Sequence, residues 1–434
     1  MGYLIYNNLI DKTIITIMKL KIFSNELPKQ LRILKNEPLL FITIPLAFPI
    51  LLIIILISPV IHIKIGFLFC DRIGHFALNT ELYLLEKKYL KKGFKAFLQI
   101  DLFYLPRKKS CNKTLENLWR EKLNILPNFI LRPFCLLIRS SFILSKGFRC
   151  GDTLNGERDI CELLDRYPPT INLGKKFLDK GKKELFTHGI PNNAKVVCLI
   201  SRDNSYLKQM YKVDVKKHDY RNNNINDFLP AAEQLTNYGY YVFRMGSTVN
   251  EKLNSNNKMI IDYANNGMRS DFLDIYLGAT CKFCITTSLG FDNIPMIFRK
   301  PNLYINHAPL FWLRLERSDN IEVPAMYYSR KKDRNLNISE IFEYGISDLL
   351  DSEDFKQKQI DIIKQSPEQI KQAAIEMHLR LNKEWVSTVE DKMLQEKFKS
   401  IYPNKRILKN KRYHGNINSN IGSFFLRTNQ WWLE

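Results

Sequence analysis

The sequence predicts an α/β protein: two doubly wound domains facing a cleft, preceded by a hydrophobic segment that associates with membrane. Three observations predict it. Apolar strand-like runs alternate with helical stretches across residues 63–350, the pattern of β-α-β units on a parallel sheet. Asn and Gly cluster between those runs, where turns belong. A long uncharged stretch stands ahead of the first of them. At 434 residues the chain exceeds one ordinary compact domain. Hydrophobic residues at 45% supply a substantial core, which excludes wholesale disorder.

Residues 1–62 form the first region, basic and then apolar. "PLLFITIPLAFPILLIIILISPVIHI", Pro38 to Ile63, holds no Asp, Glu, Lys or Arg. Its length could cross a bilayer as a helix, which needs about 20 residues. It starts too late, and lacks the small-residue end, for a cleavable signal peptide. Lys19, Lys21, Lys29, Arg32 and Lys35 precede it, whereas only Lys64 closely follows. That bias holds the N-terminus inside. A single crossing would then put the main body outside. Pro45, Pro49 and Pro59 allow instead a kinked, in-plane or re-entrant segment with the body still inside. The in-plane form is the expectation here. The competing reading is a buried element of a soluble core.

The first α/β domain is placed at 63–190. "IKIGFLFC" reads as a strand from Ile63 to Cys70, "DRIGH" breaks it, and "FALNTELYLLEKKYLKK" follows at helical spacing. "FKAFLQIDLFYL" reads as the next strand. "FILRPFCLLIRSSFIL" is apolar enough to pack within this domain or to touch lipid. The second domain is placed at 191–350. Its strands are "KVVCLISRD", "YYVFRMG", "CKFCITTS" and "PNLYINHAP"; its helices are "NDFLPAAEQLTNYG" and "RSDFLDIYLGAT". Residues 351–434 switch to charged helices, "DSEDFKQKQIDIIKQ" and the stretch that Ser366 and Pro367 open. The tail "NKRILKNKRYH" suits either an acidic membrane or solvent. The closing "IGSFFLRTNQWWLE" is aromatic enough to dock back onto the body or onto lipid.

Lys and Arg outnumber Asp and Glu by 65 to 44, which suits an anionic partner without choosing among nucleic acid, acidic lipid and phosphorylated molecules. No nucleic-acid reading module is present, so no nucleic-acid partner is expected. Cys281 and Cys284 are the only close cysteine pair. Three apart on a strand they face opposite sides, which is unsuited to joint metal ligation. Buried thiols in a reducing compartment are expected instead. No phosphate-binding Walker loop, dinucleotide glycine fingerprint, HExxH or Gly-x-Ser-x-Gly elbow occurs, and no acidic cluster offers a metal clamp.

Open α/β sheets bind ligands at their strand ends, so the candidate groups are sought there. After the first strand come Asp71, Arg72, Gly74 and His75. The glycine permits close approach, and His75 can serve as base or donor near neutral pH. In the second domain Arg202 follows one strand, and His218, Tyr220 and Arg221 lie on a loop. Arg244 and Gly246 end the next strand. Thr287, Ser288 and Gly290 end a later one. Guanidinium forks match phosphate oxygens, and a Ser/Thr-Gly turn offers amide donors. Each feature has a plainer reading: Arg202 could pair with Asp203, and Ser288 could cap a helix. Asp274 is a surface acid or the orienter of a cleft arginine. Together these features predict a polyanionic ligand.

"DRIGHFALNTELYL", "SRDNSYL", "HDYRN", "YVFRMG", "SDFLDIYLGATCKFCITTSLGFD" and "IGSFFLRTNQWWL" together resemble a family of bacterial glycosyltransferases of surface-carbohydrate biosynthesis. The resemblance covers most of the chain from about Phe67. "INLGKKFLDKGKKELFTHGIP" departs from the family's pattern, outside the expected cleft. The resemblance implies two Rossmann-like domains of the GT-B type and a metal-independent transferase with no cofactor. Its donor would be a nucleotide sugar and its acceptor a glycan or glycolipid. It implies work at the cytoplasmic face of the inner membrane, against an acidic membrane surface, on lipopolysaccharide, capsule or protein glycans. Arg202 and Arg244 would then hold the diphosphate, with amides of Ser288–Gly290. His218, Tyr220 and Arg221 would contact the donor. His75 or Asp71 would be the base, with Asp71 or Arg72 orienting. Two other readings remain: a transferase that adds a pyruvyl or phosphoryl group to a glycan, and a non-catalytic membrane-bound glycan-binding protein.

Overall fold

The computed structural model describes residues 37, 39–90, 98–205, 208, 216–403 and 415–434. The basic N-terminal stretch through Lys35 and the basic tail at 404–414 lie outside the described residues. The chain forms two compact units. One falls within residues 1–72 and 86–153; the other comprises Ile73–Leu85 and Leu154–Glu434.

The first unit opens with α1, Leu40–Ile57, an 18-residue helix without a charged side chain. At 1.5 Å per residue it is about 27 Å long, short of the roughly 30 Å hydrocarbon core. Among the described residues no helix is long and apolar enough to cross a membrane. One face of α1 is buried at Ala47 and Leu51, while Ile42, Leu46, Ile53 and Leu56 are 57–78% exposed. The strands β1 (Ile61–Phe67), β2 (Leu98–Tyr104) and β3 (Asn124–Ile125) form a three-stranded parallel sheet in that order. Between β1 and β2 runs α2, Ile73–Tyr89. Its first three turns group with the second unit. After β2 comes α3, Lys113–Arg120, capped by the Asn112 side chain, which accepts from Leu115 N–H.

The apolar run at 129–144 becomes α4 (Asn128–Ser140) and α5 (Phe142–Phe148). It packs within this unit on one face and leaves the other exposed. Leu131, Cys135 and Ile138 join Leu51, Ile65 and Tyr104 in one core cluster. Phe129, Phe142 and Ile143 face outward, Phe129 and Ile143 about three-quarters exposed.

The second unit is built on a seven-stranded, wholly parallel sheet. Its strands are β4 (Lys195–Ile200), β5 (Tyr240–Arg244), β6 (Ile260–Ile261), β7 (Phe283–Thr286), β8 (Asn302–His307), β9 (Ile321–Pro324) and β13 (Asn420–Ile421). Their spatial order is β13-β9-β8-β7-β4-β5-β6. The central strands read as near-continuous apolar runs because helices cover both faces; "KVVCLI" of β4 is buried at every position but its first. The helices α6 (Lys175–Thr187), α7 (Leu229–Asn237) and α8 (Asp271–Thr280) belong to this unit, the last capped by Ser270.

The charged stretch after residue 351 is not one helix. It is a short helix, Ser352–Gln357, followed by a strand, β12 (Ile360–Ile363). Gln359 at φ +57° turns the chain, and the β-branched "IDII" then pairs antiparallel with β10 (Met326–Ser329). Ordered β10 to β11 (Arg334–Asn335) to one side and β12 to the other, these make a small three-stranded sheet. The helix Pro367–Leu381 begins where Ser366 and Pro367 mark it, with a full capping box from Ser366 and Gln369. At the C-terminus Phe425, Leu426, Trp432 and Leu433 are buried in the main core of this unit.

Candidate functional site

The strand order of the large sheet reverses between β4 and β7. From β4 the sheet grows through β5 to β6; from β7 it grows the other way through β8 to β9. Such a switch point leaves a crevice outside the carboxyl ends of the two strands. Ile200 pairs with Thr286 at those ends. The next residues meet directly: Arg202 N–H donates to Thr287 Oγ1 at 2.9 Å. Ser288 follows at φ +60°, a conformation non-glycine residues rarely adopt. Its carbonyl accepts from Arg221 Nη2. The 216–221 loop is thus pinned against the exit of β7.

This crevice gathers cations from three chain segments. Arg202 follows β4. His218 and Arg221 come from the 216–221 loop. Lys364 follows β12, and its Nζ donates to the Tyr220 carbonyl at 2.6 Å. Burial, then the charge of Arg221, lowers the Arg202 pKa to about 10. The same two causes lower Lys364 to about 7. Burial, then Arg202 and Arg221, lowers His218. Arg202 Nε, His218 Nδ1 and the Tyr220 hydroxyl are buried without a hydrogen-bond partner among the described residues. Groups so placed are costly unless something satisfies them.

The nearby acids answer this charge only in part: Asp203 and Asp219 offset some of the Arg202 charge, and Asp351 lies 3.5 Å from Lys217. Asp203 accepts from Ser205 N–H and Asn250 N–H, both at 2.9 Å. Asp219 accepts from Asn204 and Asn222. Asp351 caps its own helix through Glu353 N–H. Beside the cluster lies a cavity of about 280 Å³ whose lining mixes Arg244 and Lys208 with Asp203, Asp219 and Glu251. That is near the lower end of ligand-pocket sizes, about 300–1,000 Å³.

The start of α2 reaches the same loop. Gly74 packs against Gly290: a Cβ on Gly74 would fall 2.8 Å from the Gly290 Cα and 2.8 Å from Asn293 Nδ2. Only glycine fits there, so the "RIGH" glycine is set by close approach. His75 therefore follows the glycine that packs on the turn after β7. Its Nδ1 lies 3.0 Å from Glu157 Oε2. Glu157 is held in turn by Arg314, whose Nη1 donates to the Glu157 carbonyl at 2.5 Å and whose Nη2 stands 3.8 Å from its carboxylate. Burial would raise the Glu157 pKa, but the His75 hydrogen bond and the Arg314 charge prevail and hold it well below the usual carboxylate range. An imidazole whose Nδ1–H is fixed by a carboxylate presents its lone pair at Nε2, the arrangement of an oriented base.

The other predicted residues fall as follows. Asp71 and Arg72 belong to the first unit and His75 to the second. Arg244 is buried at the cavity wall, its Nη1 3.0 Å from Asp262. Asp262 also accepts from Leu253 N–H and Asn265. Gly246, at φ +151°, is imposed by the turn, because a Cβ there would meet Val249 Cγ1 at 2.6 Å. Two of the amides assigned to phosphate are engaged within their own loop: Ser288 N–H donates to Thr286 Oγ1 and Leu289 N–H to Asp292. Asp274 orients Arg269 at 2.8 Å and accepts from the Tyr263 hydroxyl at 3.0 Å. Cys281 and Cys284 are buried free thiols. Among the described residues no three His, Cys, Asp or Glu side chains group as metal ligands would.

Glu157, Arg314 and Lys364 were absent from the sequence reading. Glu157 sits in "LNGERDI", which has no periodicity. Lys364 closes a run that reads as helix.

No family model matches the chain, and no curated protein matches it. Among solved structures it is similar to a glycosyl transferase family 9 protein from Veillonella parvula, at 12% identity over 74% of this chain and 99% of that one, with a TM-score of 0.42. It is also similar to the ADP-heptose lipopolysaccharide heptosyltransferase II of E. coli, at 12% identity over 57% of this chain and 86% of that one, with a TM-score of 0.29.

Proposed function

We propose that the protein is a glycosyltransferase that moves a sugar from a nucleotide-sugar donor to a lipid-linked or surface glycan, without a metal. The observation that carries this reading is the crevice at the sheet's switch point. There Arg202, Arg221, His218 and Lys364 converge with buried donors unanswered, within reach of a loop that also receives the His75–Glu157 pair.

Arg202 and Arg221 hold the donor's diphosphate and offset the charge that grows on it as the glycosidic bond breaks. Tyr220 and His218 contact phosphate or ribose. Arg244 braces the wall of the adjoining cavity through Asp262. His75 takes the acceptor hydroxyl's proton at Nε2 as the oxygen attacks the anomeric carbon. Glu157 fixes the ring and stabilises the imidazolium that forms. The proton and the leaving nucleoside diphosphate then depart separately.

The outward faces of α1, α4 and α5 would seat the chain in the plane of a membrane, at the cytoplasmic face where nucleotide sugars are present. Ile53, Leu56, Phe129, Phe142 and Ile143 supply apolar contact, and Lys146, over the Phe142 ring at 4.3 Å, is placed for acidic headgroups. A thermal-stability screen of the full chain in detergent against nucleotides and nucleotide sugars tests the donor assignment, since a ligand that binds the folded state raises apparent stability. Transfer of labelled sugar, as opposed to a pyruvyl or phosphoryl group, tests the reaction.

A further inference from the structure

Lys364 differs from its cationic neighbours. Arg202 and Arg221 stay charged at any working pH, whereas an ammonium can discharge when buried. Its geometry is fixed on one side only: Nζ donates to the Tyr220 carbonyl, which leaves two further donor positions on the nitrogen when protonated. Tyr220 is itself anchored, its N–H donating to Ser352 Oγ at 3.2 Å and its ring 4.8 Å from Phe355. The following residue, Gln365, donates its N–H to Asn306 Oδ1 at 2.7 Å, and Asn306 donates to Asn223 at 2.7 Å. The backbone on both sides of the crevice is therefore tied together around the Lys364 side chain.

The charges facing this place are largely of one sign. The 216–221 loop contributes Lys217, His218 and Arg221, and the loop after β4 contributes Arg202. From β8 comes His307, buried and paired with Glu322 at 2.9 Å; burial, then Arg221, keeps that imidazole well below its ordinary pKa. Among the acids, Asp351 lies 3.5 Å from Lys217 and Asp203 and Asp219 offset part of the Arg202 charge, whereas burial and Arg221 act on Lys364 with no acid opposing them. Lys364 thus sits where a proton is disfavoured. An incoming diphosphate would reverse that balance.

We propose that Lys364 is a third cationic contact for the phosphates of the ligand, and that it takes up a proton from solvent as the ligand binds. This rests on the crevice being an anion site, as argued above, and adds to it a residue and a proton linkage. The proton enters from water and leaves again with the nucleotide, so that binding and release of the diphosphate are coupled to pH. The lowering of the Lys364 pKa by burial and by Arg221 is consistent with that discharge in the empty protein.

The test is isothermal titration of full-length protein in detergent with UDP, GDP, ADP and pyrophosphate at pH 8, in buffers of different ionisation enthalpy. Wild type is expected to take up close to one proton per bound diphosphate. Lys364→Arg should bind with no uptake, because its guanidinium is already charged. Lys364→Met should lose both the uptake and about tenfold or more in affinity. His218→Gln, which removes the other titrating cation, should keep the uptake. Binding by wild type without proton uptake, or unchanged uptake and affinity in Lys364→Met, overturns the proposal while leaving the anion site standing. If wild type binds none of the four probes, the anion site itself falls, and this proposal with it.

Discussion

His75 Nδ1 and Glu157 Oε2 stand 3.0 Å apart, and the glycine before His75 packs against Gly290 at the exit of β7. The imidazole is thereby paired with a carboxylate, and a backbone contact holds its helix start against the turn after β7. Glu157→Gln keeps the shape and removes the charge. Turnover should fall, by up to the roughly 10²–10⁴-fold that general acid–base catalysis contributes. Donor affinity should stay near wild type, Tm should fall because Arg314 loses a charged partner, and Glu157→Asp should recover part of the rate. Steady-state kinetics with a separate donor-binding assay checks this. A fall in donor affinity matching the fall in rate would remove Glu157 from that role.

Arg244 is buried and its partner Asp262 partly buried, and removing Asp262 leaves a buried charge uncompensated. Asp262→Ala should cost about 3–5 kcal/mol of stability, read as a lower urea midpoint at unchanged slope. Arg244→Met, which fills the space without a charge, should cost less and should retain nucleotide binding. Loss of binding in a folded Arg244→Met protein would return Arg244 to the phosphate site.

Asp292 and Asp274 are both pushed up to about 6, in each case chiefly by burial. The unfolded carboxyls titrate near 3.9. Between those values the folded chain holds protons that the unfolded chain has released. Their contribution to stability is therefore fully present below about pH 4 and is lost as pH rises through about 6. Asp292→Asn keeps an oxygen for Thr286 and Leu289 while removing the titration. The difference in urea midpoint between variant and wild type should accordingly widen in the variant's favour from pH 4.5 to pH 7.5. A difference that does not change with pH would contradict the assignment.

The exposed faces of α1, α4 and α5 carry the membrane proposal. Ile53→Asp combined with Phe129→Asp should reduce co-flotation with vesicles containing about one-third anionic lipid, without lowering Tm, because neither side chain is buried. Flotation equal to wild type would place the membrane contact elsewhere.

Much of the second unit was legible in the sequence. The strands "KVVCLI", "YYVFR" and "FCIT" declare themselves because both faces are covered, so apolar residues run without interruption. Ser366 and Pro367 mark a helix start through local chemistry alone. Arg202, Tyr220 and Arg221 could be nominated because strand exits are where such sheets bind ligands. What local pattern cannot show is partnership across the chain. Glu157 meets His75 from 82 residues away in sequence, out of a stretch with no periodicity. Lys364 lies at the end of "FKQKQIDIIK", where alternating polar and apolar residues fit a charged helix as well as a strand. Arg244 looks like a strand-end phosphate ligand until Asp262, on a neighbouring segment, is seen to occupy it.

The measurement that bears most directly on the account is the affinity of the full-length protein for nucleoside diphosphates, wild type against Arg221→Ala. Wild type should bind at least one of them, and the variant should bind it about tenfold or more weakly, a loss of about 1.4 kcal/mol. Equal affinity in the two proteins, or no binding by wild type, would contradict it.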